Sequence, residues 1–264
     1  MSLNIAVCIK PVPDPDHYDK IKIHPETKAL IRAGIPSVIN TADKNAIELA
    51  VSLKEKFGGE ISVVTMAPPS AREQLLEALS YGIDKAYLLS DRRVGGADTL
   101  ATSYSLYHML KKIGSFDLVI LGNESDDGAT AHVPSQLGEW MDTAHMSDVV
   151  AVDIKDDNTV LLTKEYEDSF CDYEAAMPCV IGVRKNINEV RYPKTWDILT
   201  AKNKPYTVFS RDDLPEMDDA MIGLAGSPTK AGDLHTPEYS REAEPITGSA
   251  DEIADKILEI LETK

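Results

Sequence analysis

Only three of the 264 residues are cysteine (Cys8, Cys171 and Cys179), and no Cys-x-x-Cys pair occurs. An odd count without that spacing points to a reducing cytoplasm and away from a structural metal. No apolar run reaches the ~18–20 residues that a membrane-crossing helix needs. The start, Met-Ser-Leu-Asn-Ile-Ala-Val, has neither the basic stretch nor the cleavage site of a secretory leader. Positive charge is scarce, with 27 Lys and Arg against 44 Asp and Glu and a net charge of -17. Nucleic acid needs Lys/Arg-rich faces and is not an expected partner; a positively charged protein suits this surface better. The serine nucleophile elbow, the Walker loop, His-Glu-x-x-His and Gly-x-Gly-x-x-Gly are all missing. His17, His24, His108, His132, His145 and His235 show no metal-ligand spacing, and Gly226-Ser227-Pro228 is no nucleophile turn. These absences leave a protein without an evident catalytic set.

What is present is an alternation of buried-strand and helix patterns up to about residue 140. Apolar runs at Asn4 to Ile9, Ile61 to Met66, Ala86 to Leu89 and Leu118 to Leu121 suit strands buried on both faces. Between them, helical spacing links Ala46, Leu49, Ala50 and Leu53, then Leu75, Leu76 and Leu79, then Leu100, Tyr104, Tyr107 and Leu110. Ser70-Ala71-Arg72-Glu73 reads as a capping box, and Lys20 to His24 with Ala29 to Arg32 as a hairpin. The alternation predicts an α/β fold with a mostly parallel sheet and crossover helices. Val149 to Ile154, Val160 to Lys164 and Cys179 to Val183 extend the sheet, partly antiparallel. From Tyr192 to Thr247 there is little periodicity, and Ala250 to Leu261 regains a helix. An arm lying on another subunit explains that irregular stretch. The domain boundary is placed at 1–190 and 191–264.

Loops at the carboxyl ends of parallel strands meet at one sheet edge, where nucleotides bind. Those loops are Cys8 to Lys10, Asn40 to Asp43, Met66 to Pro69, Gly95 to Thr99 and Gly122 to Val133. Asp98 and Thr99 suit either a helix cap or a ligand; Asp126 and Asp127 suit an acid/base pair, with Asp127 preferred as a loop or ribose hydrogen-bonding residue.

The residues resemble the small (β) subunit of electron transfer flavoproteins along essentially the whole chain. The resemblance is carried by Ala6-Val7-Cys8-Ile9-Lys10 with Val12-Pro13-Asp14, and by Ile39-Asn40-Thr41-Ala42-Asp43 before Ala46 and Glu48. Val64 to Pro68, Gly82 to Ala86, Leu121-Gly122 leading to Asp127 to Ala131, Lys164, Glu167, Met177 to Val180 and Arg191-Tyr192 add to it. It implies a Rossmann-like (adenine nucleotide alpha hydrolase-like) sheet with helices on both faces and an extended C-terminal arm. It also implies a heterodimer with an α subunit that carries FAD, and AMP or a second FAD in this subunit. By position, that nucleotide would be held by Cys8, Asn40, Thr41, Ala42, Asp43, Met66, Gly122, Asp127, Gly128, Thr130, Ala131, His132 and Val133. Arg191 to Ala201 matches the loop that docks onto dehydrogenases, with Arg191, Tyr192, Thr195 and Trp196 as the docking residues.

Several positions depart from that pattern. Glu124-Ser125-Asp126 stands where the family commonly has Gln-Ala-Ile, His132 where it has Gln, and Thr195 where it has an apolar anchor. Asp91 to Ser103, with Asp98 and Thr99, is similar to the FAD-rich, electron-bifurcating members, as is Gly226-Ser227-Pro228-Thr229 with Thr236-Pro237. FAD here, with NADH as a possible electron donor, is therefore preferred to AMP. The competing expectations are a self-contained ATP-binding protein of the universal-stress type and a subunit whose AMP only props up the fold. Against the first, the Ser-Gly-Gly-x-Asp-Ser signature is absent and the arm would have no role.

Overall fold

Apolar runs flanked by glycine, proline and aspartate become strands, and the amphipathic runs between them become the helices that cover the strands. A computed structural model describes residues 2–20, 22–23, 30–31, 34–229 and 245–262. The chain begins with β1 (Leu3–Cys8) and β2 (Pro11–Pro13), then β3 (Lys22–Ile23) paired antiparallel with β4 (Leu30–Ile31), then β5 (Ser37–Ile39) paired with β2. The hairpin is therefore formed, although its turn at 24–29 lies outside the described residues. There follow α1 (Thr41–Phe57), β6 (Gly59–Met66), α2 (Arg72–Ser80), β7 (Lys85–Leu89), α3 (Thr99–Ile113), β8 (Leu118–Gly122) and α4 (Val133–Met141). The rest comprises β9 (Ala144–Asp156), β10 (Thr159–Glu165), β11 (Phe170–Ala176), β12 (Cys179–Val183), α5 (Thr195–Thr200), β13 (Tyr206–Phe209) and α6 (Ala250–Glu262).

Nine strands form one sheet in the order β11-β10-β9-β12-β8-β1-β6-β7-β13. From β9 to β13 every pairing is parallel, and β10 runs antiparallel to both β9 and β11. Successive side chains of a strand point to opposite faces. Ile5 and Val7 of β1 accordingly pack with Ile47 and Ala50 of α1 and Leu75 and Leu79 of α2. Ala6 and Cys8 pack on the other face with Met109 of α3 and Leu137 of α4. Helices on both faces explain why β8 and β12 are buried along their whole length. Each fully buried Leu, Ile or Val there contributes about 1.5–3 kcal/mol.

Three differences from the sequence reading have physical causes. Ser70 caps no helix: the chain enters α2 through a 3-10 turn at Pro69–Ala71, and Ala71 N–H donates to the Pro68 carbonyl at 3.0 Å. Ser70 thus lies inside the turn, and the cap position falls on Ala71, which has no side-chain oxygen. Strand β11 was not expected, because nearly all its residues are exposed and it carries no apolar alternation. Tyr206–Phe209, within the irregular stretch, pairs with β7 as an edge strand too short to show a period. The contact-defined first unit runs from Met1 to Lys230 and the second from Ala231 to Lys264. In the second, the Ser249 and Glu252 side chains cap α6, whose Ile257, Leu258, Ile260 and Leu261 are exposed. Thr236-Pro237 lies outside the described residues.

Candidate functional site

Strands β1 and β8 are neighbours, but the helices that follow them lie on opposite faces: α1 packs on one and α4 on the other. Such a point opens a crevice beyond the carboxyl ends of the strands. Cys8, Asn40 to Asp43 and Gly122 to Val133 all converge there, with Met66 at the end of β6 two strands from β8.

The floor of the crevice is buried and internally bonded. Asp43, in the first turn of α1, accepts from the Lys10 N–H at 2.7 Å and from the Gly122 N–H at 2.8 Å, tying together the ends of β1 and β8. Gly122 must lack a side chain, because a Cβ there would lie 2.5 Å from Asp43 Oδ1 and 2.8 Å from the Ala42 Cβ. Burial pushes the Asp43 carboxyl up to about 7, against the pull of those two N–H groups and of Asn40. Burial, with the neighbouring Asp43 charge, pushes the Cys8 thiol up to about 12, which disfavours the thiolate. Asn40, also buried, donates to the Glu124 carbonyl at 2.9 Å and accepts from the Asp126 N–H at 2.9 Å. Of the sequence candidates, then, Cys8, Asn40, Ala42, Asp43 and Gly122 make the frame rather than the accessible surface.

The loop from Ser125 to His132 forms the rim. Its Ala129 and Ala131 hold left-handed conformations, at φ 44° and 54°, that alanine rarely adopts. Gly128, Thr130 and His132 are exposed, and Ala131 and Val133 partly so. The N-terminus of α4 has no side-chain cap, and its Pro134 contributes no N–H. The first-turn N–H groups of a helix need an acceptor from outside it, and anions supply one. Asp126 and Asp127 have separate partners: Asp126 accepts from the Thr41 N–H and hydroxyl and from Lys185 Nζ, and Asp127 pairs with Lys10. Although burial opposes it, Lys185 and Thr41 hold the Asp126 carboxyl below the usual carboxylate range. Neither carboxylate is left as a free acid or base. Lys10 stands in one of the candidate loops, but its pairing with Asp127 left no local signal; Lys185 had none beyond standing just past the end of a strand.

The β7–α3 junction is built differently. Asp98 caps α3 by accepting from the Ala101 N–H at 3.0 Å, and its other oxygen accepts from the Thr229 N–H at 3.0 Å. The Asp98 N–H donates to the hydroxyl of the buried Ser227 at 2.8 Å. The two segments singled out in the sequence, Asp91 to Ser103 and Gly226 to Thr229, are thus clasped to each other. A Cβ on Gly96 would lie 2.8 Å from Leu224, so this loop needs glycine to pass under the tail segment. Thr99 starts α3 at the same sheet edge, partly exposed.

Outside the crevice, Arg191 is held inward by Glu48 at 2.8 Å and Glu55 at 2.7 Å. It anchors the following loop, on which Tyr192 is 96% and Trp196 72% exposed, with Thr195, Ile198 and Leu199 also exposed. Large exposed apolar side chains gathered on one loop are uncommon where nothing covers them. Among the described residues no helix is long and apolar enough to cross a membrane, and no cluster of His, Cys, Asp and Glu could hold a metal ion.

A family model described as the electron transfer flavoprotein domain matches residues 27–214. The electron transfer flavoprotein subunit beta of Thermoanaerobacterium thermosaccharolyticum is 39% identical over 263 residues, covering 99% of each chain. The caffeyl-CoA reductase-Etf complex subunit CarD of Acetobacterium woodii is 38% identical over 264 residues, again 99% of each. Protein FixA of Bradyrhizobium diazoefficiens is 34% identical over 261 residues, 97% of this chain and 90% of that one.

Proposed function

The chain belongs to the electron transfer flavoprotein β-subunit family, and we propose that it binds an adenine nucleotide, FAD in preference to AMP, in the crevice between β1 and β8. The observation that carries this reading is the open rim: a left-handed Ala129 and Ala131 leading into an uncapped α4. Strain kept at an exposed loop is the usual mark of a ligand clamp. In this reading the backbone from Gly128 to Val133 and the Thr130 and His132 side chains receive the phosphates. Asn40, Asp43 and Gly122 keep the strand ends fixed beneath them, and Met66 forms a wall. The candidate loops span the ends of β8, β1, β6 and β7, about 14 Å at the usual strand spacing, which suits a dinucleotide better than a mononucleotide.

A bound flavin would supply the electron storage, and the protein sets its position and surroundings. No side chain is asked to move a proton: the Cys8 thiol is buried, and both loop carboxylates are paired. Electrons would pass between NADH or a dehydrogenase and the FAD of an α subunit, in a reducing cytoplasm, with Tyr192, Thr195 and Trp196 on the docking surface. A structural AMP is the second reading, favoured by one observation: the Asp98 carboxylate already fills the N-terminus of α3. The test is to produce the chain with its α subunit, reconstitute with FAD and titrate with NADH. Two flavins per heterodimer, bleached by NADH, support the first reading. One flavin with one AMP, inert to NADH, supports the second.

A further inference from the structure

The rim loop carries two adjacent carboxylates, a poor start for a surface that is to receive phosphate. Each is met by a lysine from a different strand end. Lys185, just past β12, lies 2.7 Å from Asp126 Oδ1, while Asp126 Oδ2 accepts from the Thr41 N–H at 3.1 Å and its hydroxyl at 2.8 Å. Lys10, just past β1, pairs with Asp127 and donates to Ser125 Oγ at 3.0 Å. A Cβ on Gly128 would lie 3.7 Å from the Lys10 ammonium, so this charge sits beside the loop's backbone. The aspartate side chains are 15% and 5% exposed and the lysines 52% and 46%, so the pairs are half-sheltered and keep more strength than surface pairs do. The loop thus hangs between β1 and β12 with its charge cancelled.

We propose that Lys10 and Lys185 are positioning residues of the phosphate site: each cancels one rim carboxylate and fixes the strained loop against a neighbouring strand end. This rests on the nucleotide reading above. It predicts an unusual salt response. A cancelled rim shows little dependence on ionic strength, whereas an unpaired carboxylate repels a phosphate and that repulsion is screened by salt. A purely structural lysine would give no such signature.

The experiment uses the full chain produced with its α subunit, stripped of nucleotide and titrated separately with AMP and with FAD at low and high salt. The proteins are wild type, Lys185→Met, Lys185→Arg and Asp126→Asn/Lys185→Met. Lys185→Met is expected to weaken binding about tenfold at low salt, between the losses seen for surface and for buried pairs, and less at high salt. Lys185→Arg should stay near wild type, and the double variant should recover most of the loss, since it removes the uncancelled charge. Lys10→Met with Asp127→Asn repeats the test on the other side. Equal binding by wild type and Lys185→Met at every salt, or a double variant no better than the single one, overturns the proposal. Circular dichroism separates these outcomes from misfolding. Failure of wild type to bind either nucleotide overturns the nucleotide reading as well.

Discussion

Two helix starts stand on one sheet edge and are finished in opposite ways. At α3 the chain supplies its own anion: Asp98 caps the helix and holds Thr229, and Ser227 closes over the Asp98 N–H. At α4 the chain supplies no side-chain cap, and it puts two alanines into left-handed conformations just before the helix. The first junction satisfies itself. The second leaves its first turn to be satisfied from outside. A glycine-rich loop before a helix is thus a weaker sign of a ligand than an ungenerous backbone, because glycine can serve a self-made cap as well as a phosphate.

The largest effect is expected at Asp43, which underlies the open junction. Asp43→Ala leaves the Lys10 and Gly122 N–H groups without their acceptor, and about 3 kcal/mol of stability should be lost in urea unfolding. Its titration also separates the two junctions. With Asp43 pushed up to about 7 by burial, the folded form holds that proton more tightly than the unfolded one. Its contribution is therefore complete below about pH 4, where the unfolded carboxyl titrates, and is lost as pH rises through about 7. Asp91, which starts the loop leading to α3, is held well below the usual range, chiefly by the Arg93 guanidinium. Asp98 is also lowered: burial opposes the shift, and the Ala101 and Thr229 N–H groups outweigh it. For these two the contribution is present above about pH 4 and is lost as pH falls below it. Regional hydrogen exchange should show the amides of Lys10 and Gly122 less protected at pH 8 than at pH 5.5. The α3 start should lose protection only in stronger acid.

Next in size is Asp98→Ala, which removes the cap and the hold on Thr229. A loss of about 1–2 kcal/mol is expected, together with faster proteolysis near residue 229 and no change in the amides of the β8–α4 loop. Loss of bound FAD from this variant, with the fold intact, would make Asp98 part of the ligand site and sharpen the comparison. The smallest effect is expected at Ala129→Gly. Relief of the left-handed strain should raise stability by up to about 1 kcal/mol, offset in part by the freedom glycine gains when unfolded. A clear loss of stability would mean that the loop is not strained.

Much of the frame could be read in the sequence, because β1, β6, β8 and the helices between them bury a core on each face of the sheet, and their apolar spacing follows their period. Cys8 and Gly122 were legible as strand ends, and Asn40 and Asp43 as the start of α1. What the sequence hid are pairings across long separations. Lys185 with Asp126, Lys10 with Asp127, Arg191 with Glu48, and Ser227 with Asp98 are set by the fold and leave no local pattern. Strand β11 escaped because its side chains face solvent, and Ser70 misled because a 3-10 turn displaced the cap.

In the reading proposed above, the open α4 start holds the phosphates and the closed α3 start does not. The most direct measurement is the nucleotide extracted per heterodimer from wild type and from Ala131→Pro, each purified with the α subunit. Proline cannot adopt the positive φ that Ala131 holds, so it disrupts the rim while leaving the buried sheet alone. One nucleotide per β subunit is expected in wild type and its loss from the variant, with circular dichroism unchanged. Full retention of the nucleotide by Ala131→Pro would contradict that reading.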